Sequence, residues 1–212
     1  MRIWKPTGVN LNVGQKEVPM IIRKALDQRD PVAIDNGNAK YRESAVLIPF
    51  LRDEGEYKVL FTKRTHKVDD HKGQISFPGG GVEREDRSFQ DTALRETHEE
   101  VGILPEDITV LGRMDDARTL SSNFVIHPFV GHIPYPYEFV INQREVKHIL
   151  LIPLPLFFPG SPRADERGTV EYGGRSYVGQ TYHYDGEVIW GATARLMKTL
   201  IDLLGKKIDL LV

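Results

Sequence analysis

The sequence predicts an α/β domain built on a mixed central sheet. Two observations carry that prediction. Apolar runs of strand length are interspersed with three stretches of helical periodicity, without the strict alternation of strand and helix that a doubly wound parallel sheet requires. The 212 residues, 40% hydrophobic and 27% charged, suffice for one domain with a full core.

The elements follow in order. Residues 15–28, "QKEVPMIIRKALDQ", read as an amphipathic helix in which Met20, Ile21, Lys24, Ala25 and Leu26 mix helical spacing with charge, and Pro19 fits only near its start. "DPVAIDNGNAKYR" is turn-rich and reads as a linker. The division this suggests is an N-terminal extension with one helix over residues 1–40 and a main domain over 41–212. "ESAVLIPFL" and "YKVLFTKRT" are strand-like, joined by the hairpin loop "RDEGE", and "QISFPGG" is a short strand stopping at Pro78. The next helix opens on Ser88 and Asp91, a capping box with Asp in place of Glu, and Gly102 is placed to end it. "DITVLGRMDD", "FVIHPFVGHI" and "EVKHILLIPLPLFF" supply further strands, the last running into a proline-rich turn. "YGGRSYVGQTYHYDGEVIW" reads as a hairpin and "GATARLMKTLIDLLGK" as a final amphipathic helix.

Composition removes several classes of function. A net charge of −2 gives no general basic footprint for nucleic acid. The absence of cysteine excludes disulfides, thiolate metal sites and cysteine nucleophiles. The first twenty residues have no apolar core of signal-peptide length, and no stretch is long and apolar enough to span a bilayer. The expectation is a cytoplasmic protein with no membrane partner.

The chemistry concentrates in "FPGGGVEREDRSFQDTALRETHEEVGI", Phe77 to Ile103. Glu96, Glu99 and Glu100 stand at i, i+3 and i+4, on one face of a helix. Three carboxylates so close repel unless a cation sits among them, and a cluster of hard oxygen ligands suits Mg²⁺ or Mn²⁺. Arg95 is adjacent and able to pair with a carboxylate and fix its orientation. Gly79 to Gly81, lacking side chains, let the backbone approach a ligand or turn a carbonyl toward a metal.

"RETHEEVGI" after "GGG" resembles the signature of the Nudix hydrolases, Gly-x5-Glu-x7-Arg-Glu-U-x-Glu-Glu-x-Gly-U, with U aliphatic. Arg95, Glu96, Glu99, Glu100, Gly102 and Ile103 match in register. Three features depart: Arg87 falls where the first box glutamate belongs, Asp86 takes the acidic place if Gly80 is the box glycine and the loop is one residue longer, and Thr97 stands at an aliphatic position. The resemblance implies an α/β/α sandwich, a Nudix fold with a central mixed β-sheet and the box helix beside it. It also implies hydrolysis of a nucleoside diphosphate linked to another group. By carry-over, Glu96, Glu99 and Glu100 form the metal shell, the Gly80 carbonyl is a further ligand, Arg95 orients Glu96, and one carboxylate acts as base. Glu145 is a secondary candidate, since comparable acidic residues in Nudix proteins sometimes reach the metals from outside the box. The resemblance also allows a homodimer.

The segment before the box, "LFTKRTHKVDDHKGQISFPGG", resembles the element that marks the coenzyme A pyrophosphatase branch. Leu60, Thr62, Arg64, Gly73, Phe77, Pro78, Gly79 and Gly80 match at the right spacings, whereas Phe61, Thr65 and Asp69 depart. "IWGATARLM" near the C-terminus is also typical of that branch. A crowd of cations, Lys63, Arg64, Lys67, His71 and Lys72, makes the segment a candidate phosphate-binding face, with Asp69 and Asp70 weakening its field. The implied substrate is coenzyme A or its thioesters. The alternatives are ADP-ribose, ADP-sugars or dinucleotides and, in another class, a non-catalytic nucleotide sensor. His127 reads as a satisfied core histidine. Trp190 reads as packing the final helix against the sheet, not as a base-stacking platform.

Overall fold

The computed structural model describes residues 17–37, 41–65, 73–119 and 122–205. A first helix, α1 (Glu17–Asp27), precedes two long strands, β1 (Arg42–Asp53) and β2 (Glu56–Arg64). Their connection is two residues, Glu54 and Gly55, both at positive φ (50° and 87°), the combination that a tight hairpin turn matching the strand twist demands. Then come β3 (Ile75–Ser76), β4 (Gly79–Gly81), α2 (Phe89–Val101), β5 (Thr109–Arg113), β6 (Ala117–Arg118), β7 (Phe124–His132) and β8 (Val146–Pro153). β9 (Ala164–Tyr172), β10 (Arg175–Tyr184), β11 (Glu187–Ile189) and α3 (Gly191–Leu204) complete the described chain.

The main sheet is mixed. β1 runs parallel to β7 and antiparallel to β2 and β4. β1 pairs with β2 only over Phe50–Asp53; nearer its start, at Ser44–Val46, its partner is β4. The two strands of the hairpin therefore diverge, and the segment 75–81 fills the gap, with β3 on β2 and β4 on β1. The glycines predicted as the end of a strand at Pro78 form a strand of their own. β8 takes the other edge of β2.

Side chains alternate across β1, as a strand's period of two requires. Ala45 and Leu47 point to the core beneath α2, with Leu60, Ala93, Val101, Ile103 and Phe129. Ile48 and Phe50 point to the larger core shared with α1 and α3, including Ile22, Leu26, Phe61, Met197 and Leu200. Each such fully buried side chain contributes about 1.5–3 kcal/mol. Helices thus cover both faces, giving the expected α/β/α sandwich. Residues 1–40 were read as an extension, yet their helix packs into the main core: a Cβ on Gly112 of β5 would meet Leu26 at 2.8 Å.

The predicted C-terminal hairpin is instead a three-stranded antiparallel sheet, because β9 begins before the hairpin sequence and pairs with β10. It is joined to the main sheet by the ion pair of Lys63 with Glu187 and by the edge-on contact of Phe157 with Tyr182 at 4.9 Å. Among the described residues no helix is long and apolar enough to cross a membrane.

Candidate active site

The site is built on α2. Ser88 caps its start, its hydroxyl accepting from the Asp91 N–H at 3.1 Å. The Asp91 carboxylate pairs with Arg87 at 2.9 Å, so only half of a capping box is made. Gly102 ends the helix at φ 76° and donates its N–H to the His98 carbonyl at 2.8 Å. Thr97 is buried and donates to the Ala93 carbonyl at 2.7 Å, which accommodates a hydroxyl where an aliphatic residue was expected.

Arg95 is the hub. Its Nε and Nη2 grip the two oxygens of Asp86 at 2.9 and 3.0 Å. Asp86 also accepts from the Thr92 hydroxyl at 2.8 Å and the Glu83 N–H at 2.9 Å. Asp86 is thus the acidic partner that the loop before α2 supplies to Arg95. The Arg95 guanidinium holds its carboxyl well below the usual carboxylate range. The remaining donors of Arg95 reach Glu96 at 2.8 Å, Glu99 at 3.2 Å and the Gly81 carbonyl at 3.0 Å.

Glu100 is 1% exposed. One oxygen accepts from Arg64 Nη1 at 3.3 Å, and the Gly79 N–H also donates to the carboxylate. The other oxygen is buried without a partner. Burial pushes the Glu100 carboxyl up to about 8, and burial also raises that of Glu96. The charge of Glu145 adds to both shifts, which puts Glu145 within electrostatic reach of both groups. Its own carboxylate accepts from Asn142 at 3.2 Å.

The residues fit a hard cation. A buried carboxylate oxygen without a partner, flanked by further carboxylates, is the donor set such an ion satisfies. Gly80 makes room for it: a Cβ there would meet the Glu96 carboxylate at 2.4–2.5 Å. No three acidic or histidine groups among the described residues stand together as a ready cage, since Arg95 draws Glu96 and Glu99 and Arg64 draws Glu100. The Gly80 carbonyl needs correction as a ligand. Hydrogen bonds from Leu47 to Pro78 and from Val82 to Glu43 flank it, so the alternation of the ladder turns Gly80 toward Ala45. The outward peptides are those of Gly79 and Gly81.

The predicted phosphate face divides. Arg64 lies with Glu100 and lines the cavity described below. Lys63 leaves β2 on the other face from Arg64 and pairs with Glu187 of β11, so it does not stand with Arg64 beside Glu100. Lys67, His71 and Lys72, with Asp69 and Asp70, lie outside the described residues. His127 is a satisfied core histidine, buried and within 2.8 Å of Asp116 and 2.7 Å of Glu43, with Phe89 stacked on its ring.

A cavity of about 280 Å³ opens beside the glycine strand. Its floor is the β1–β7 face carrying Val46 and Ile126, and its far wall holds Tyr177 of β10 and Trp190 at the start of α3. Trp190 packs the start of α3 against the three-stranded sheet as expected, lying 5.3 Å from Tyr172 and 5.0 Å from Tyr177; it is only partly buried and also lines the cavity. Sequence reasoning missed Tyr177 altogether. The available signal was the run of aromatics at 172, 177 and 190 around two glycine turns.

Comparison with known proteins agrees with this architecture. The NUDIX domain family matches residues 40–155. The chain is 34% identical over 169 residues to a protein of Enterobacter sp. (strain 638) named Nudix hydrolase NudL, covering 78% of this chain and 84% of that one. The NudL protein of Yersinia enterocolitica is 35% identical over 183 residues, covering 85% and 89%. A MutT/nudix family protein from Enterococcus faecalis shares the fold at 15% identity, with a TM-score of 0.50, over 91% of this chain and 80% of that one. With the box helix, its arginine hub and the split hairpin all in place, the chain belongs to the Nudix hydrolases, pyrophosphohydrolases of nucleoside diphosphate derivatives.

Proposed function

We propose that this enzyme hydrolyses the pyrophosphate of coenzyme A or its thioesters, giving 3′,5′-ADP and 4′-phosphopantetheine or its acyl form, with Mg²⁺ or Mn²⁺ as cofactor. One observation carries the reading. The described ends of the segment that resembles the coenzyme A branch, Arg64 of β2 and residues of the stretch Gln74 to Gly80, line the cavity, and Arg64 also bonds the buried Glu100. A substrate with a pyrophosphate at Arg64 has its nucleoside end beside a largely apolar chamber.

Glu96, Glu99 and Glu100 would hold the cation, with Glu145 supplying a further carboxylate on the same side. When bound, a divalent cation neutralises phosphate charge and lowers the pKa of water. The residues of the chain do the positioning. Arg95 holds Glu96, and Asp86 holds Arg95. Arg64 offers the phosphate a guanidinium suited to paired oxygens. Water adds to one phosphorus, the bond to the bridging oxygen breaks, and that oxygen leaves with the other phosphate. A carboxylate of the site accepts the water's proton.

The test is chromatography of products from coenzyme A, dephospho-coenzyme A and ADP-ribose, each with Mg²⁺ or Mn²⁺. Release of 3′,5′-ADP from coenzyme A, much faster than cleavage of the other two, is the expected result. Preferential cleavage of ADP-ribose contradicts the substrate assignment while leaving the pyrophosphohydrolase intact.

A further inference from the structure

We infer that Trp190 and Tyr177 form the stacking wall for the substrate's nucleobase, so that the base is read by the C-terminal sheet and helix outside residues 40–155. This rests on the enzyme acting on a nucleoside diphosphate derivative; the base is adenine if coenzyme A is the substrate.

The wall has the required composition. Trp190 and Tyr177 meet at 5.0 Å with their planes 46° apart, and both line the cavity that begins at Gly79–Gly81. Tyr172 braces Trp190 from β9 at 5.3 Å. A flat heteroaromatic ring gains from an aromatic face, and such stacking tolerates any base. The opposite side is apolar, with Val46 and Ile126. The lining also includes polar residues, among them Ser44, Gln74, Ser76, Ser122 and Arg64. Two of them lack partners: the Ser122 hydroxyl and Arg64 Nε are buried without a hydrogen bond, and both residues line the cavity. A buried unpaired donor carries a free-energy cost that a ligand edge removes. A flexible pantetheine arm has no face to offer the wall.

The sequence provides a direct reporter. The chain has two tryptophans, Trp4 and Trp190, so Trp4→Phe leaves Trp190 as the sole indole. In that full-length variant, 3′,5′-ADP is expected to quench the Trp190 emission saturably, while 4′-phosphopantetheine and ribose 5-phosphate leave it unchanged. Quenching by 4′-phosphopantetheine or ribose 5-phosphate, or no change with 3′,5′-ADP, overturns the assignment. Binding is read without turnover, so this outcome is separate from whether coenzyme A is cleaved. In kinetics, Trp190→Ala is expected to raise KM about tenfold or more with kcat little changed, on whichever nucleotide the enzyme cleaves, and Trp190→Phe to restore most of it. Should Trp190→Ala not fold, Tyr177→Leu on the sheet surface gives the same reading in smaller degree. An unchanged KM in either variant counts against the wall.

Discussion

Glu100 is pulled two ways. Burial raises its carboxyl to about 8, which favours the protonated form in the metal-free protein, while Arg64 pulls the other way. For a raised carboxyl the sign is fixed: the Glu100 contribution to metal-free stability is fully present below the ordinary glutamate range and is lost as pH rises toward about 8. On the proposed role a cation held by Glu100 would compete with that proton, so apparent Mg²⁺ affinity is expected to climb with pH up to about 8 and then level off. Calorimetric titration across neutrality checks this, and an affinity flat in pH contradicts it. Two neighbouring glycines divide fold from site in the same way. A Cβ on Gly79 meets the Ala45 carbonyl at 2.4 Å, at a φ of 155° that favours glycine, so Gly79→Ala should cost about 2–4 kcal/mol in denaturant unfolding. The three atoms nearest a Cβ on Gly80 all belong to the Glu96 carboxylate, the end of a side chain and not backbone, so Gly80→Ala should keep most of the stability while displacing Glu96 from Arg95 and losing activity. The glutamates were legible in the sequence because their spacing is the helix period. The two glycine roles were not, because they depend on which neighbour crosses above each one.

At the scale of elements, the loop from Glu83 to Ser88 fastens α2 through Asp86. Arg95 depresses the Asp86 carboxyl, so its contribution is present above the ordinary carboxylate range and lost as pH falls through its lowered value. Asp86→Asn should therefore lower the melting temperature clearly at neutral pH, with the gap to wild type narrowing in acid. A gap that holds constant into acid contradicts the ion-pair reading. The Lys63–Glu187 pair joins β2 to β11 and so sets the distance from the glycine strand to the Trp190 wall. Lys63→Glu should raise KM, and adding Glu187→Lys should recover much of the loss, as substrate titrations of the single and double variants would show. Lys63 was read as facing phosphate because it adjoins Arg64. The strand period of two already argues otherwise, since adjacent residues leave a strand on opposite faces.

For the whole molecule, the fold class and the box helix could be read from local pattern and resemblance. The rest of the site could not, because its parts meet only through topology. β1 and β2 separate to admit β3 and β4, α1 joins the main core, and a third strand turns the C-terminal hairpin into a sheet. Lys63 and Glu187 are 124 residues apart, and Arg64 and Glu100 are 36 apart. No window of the length of one helix or strand contains either pair. On the proposed function the glutamates of α2, with Glu100 buried among them, hold the cation that hydrolysis requires. The most direct test of that role is 3′,5′-ADP formed from coenzyme A with Mg²⁺ by wild type and by Glu100→Gln, with both melting temperatures taken in chelator. Expected are product from wild type, a loss of about a hundredfold or more in the variant, and a melting temperature no lower than wild type's. A folded Glu100→Gln enzyme that turns over as fast as wild type would contradict it.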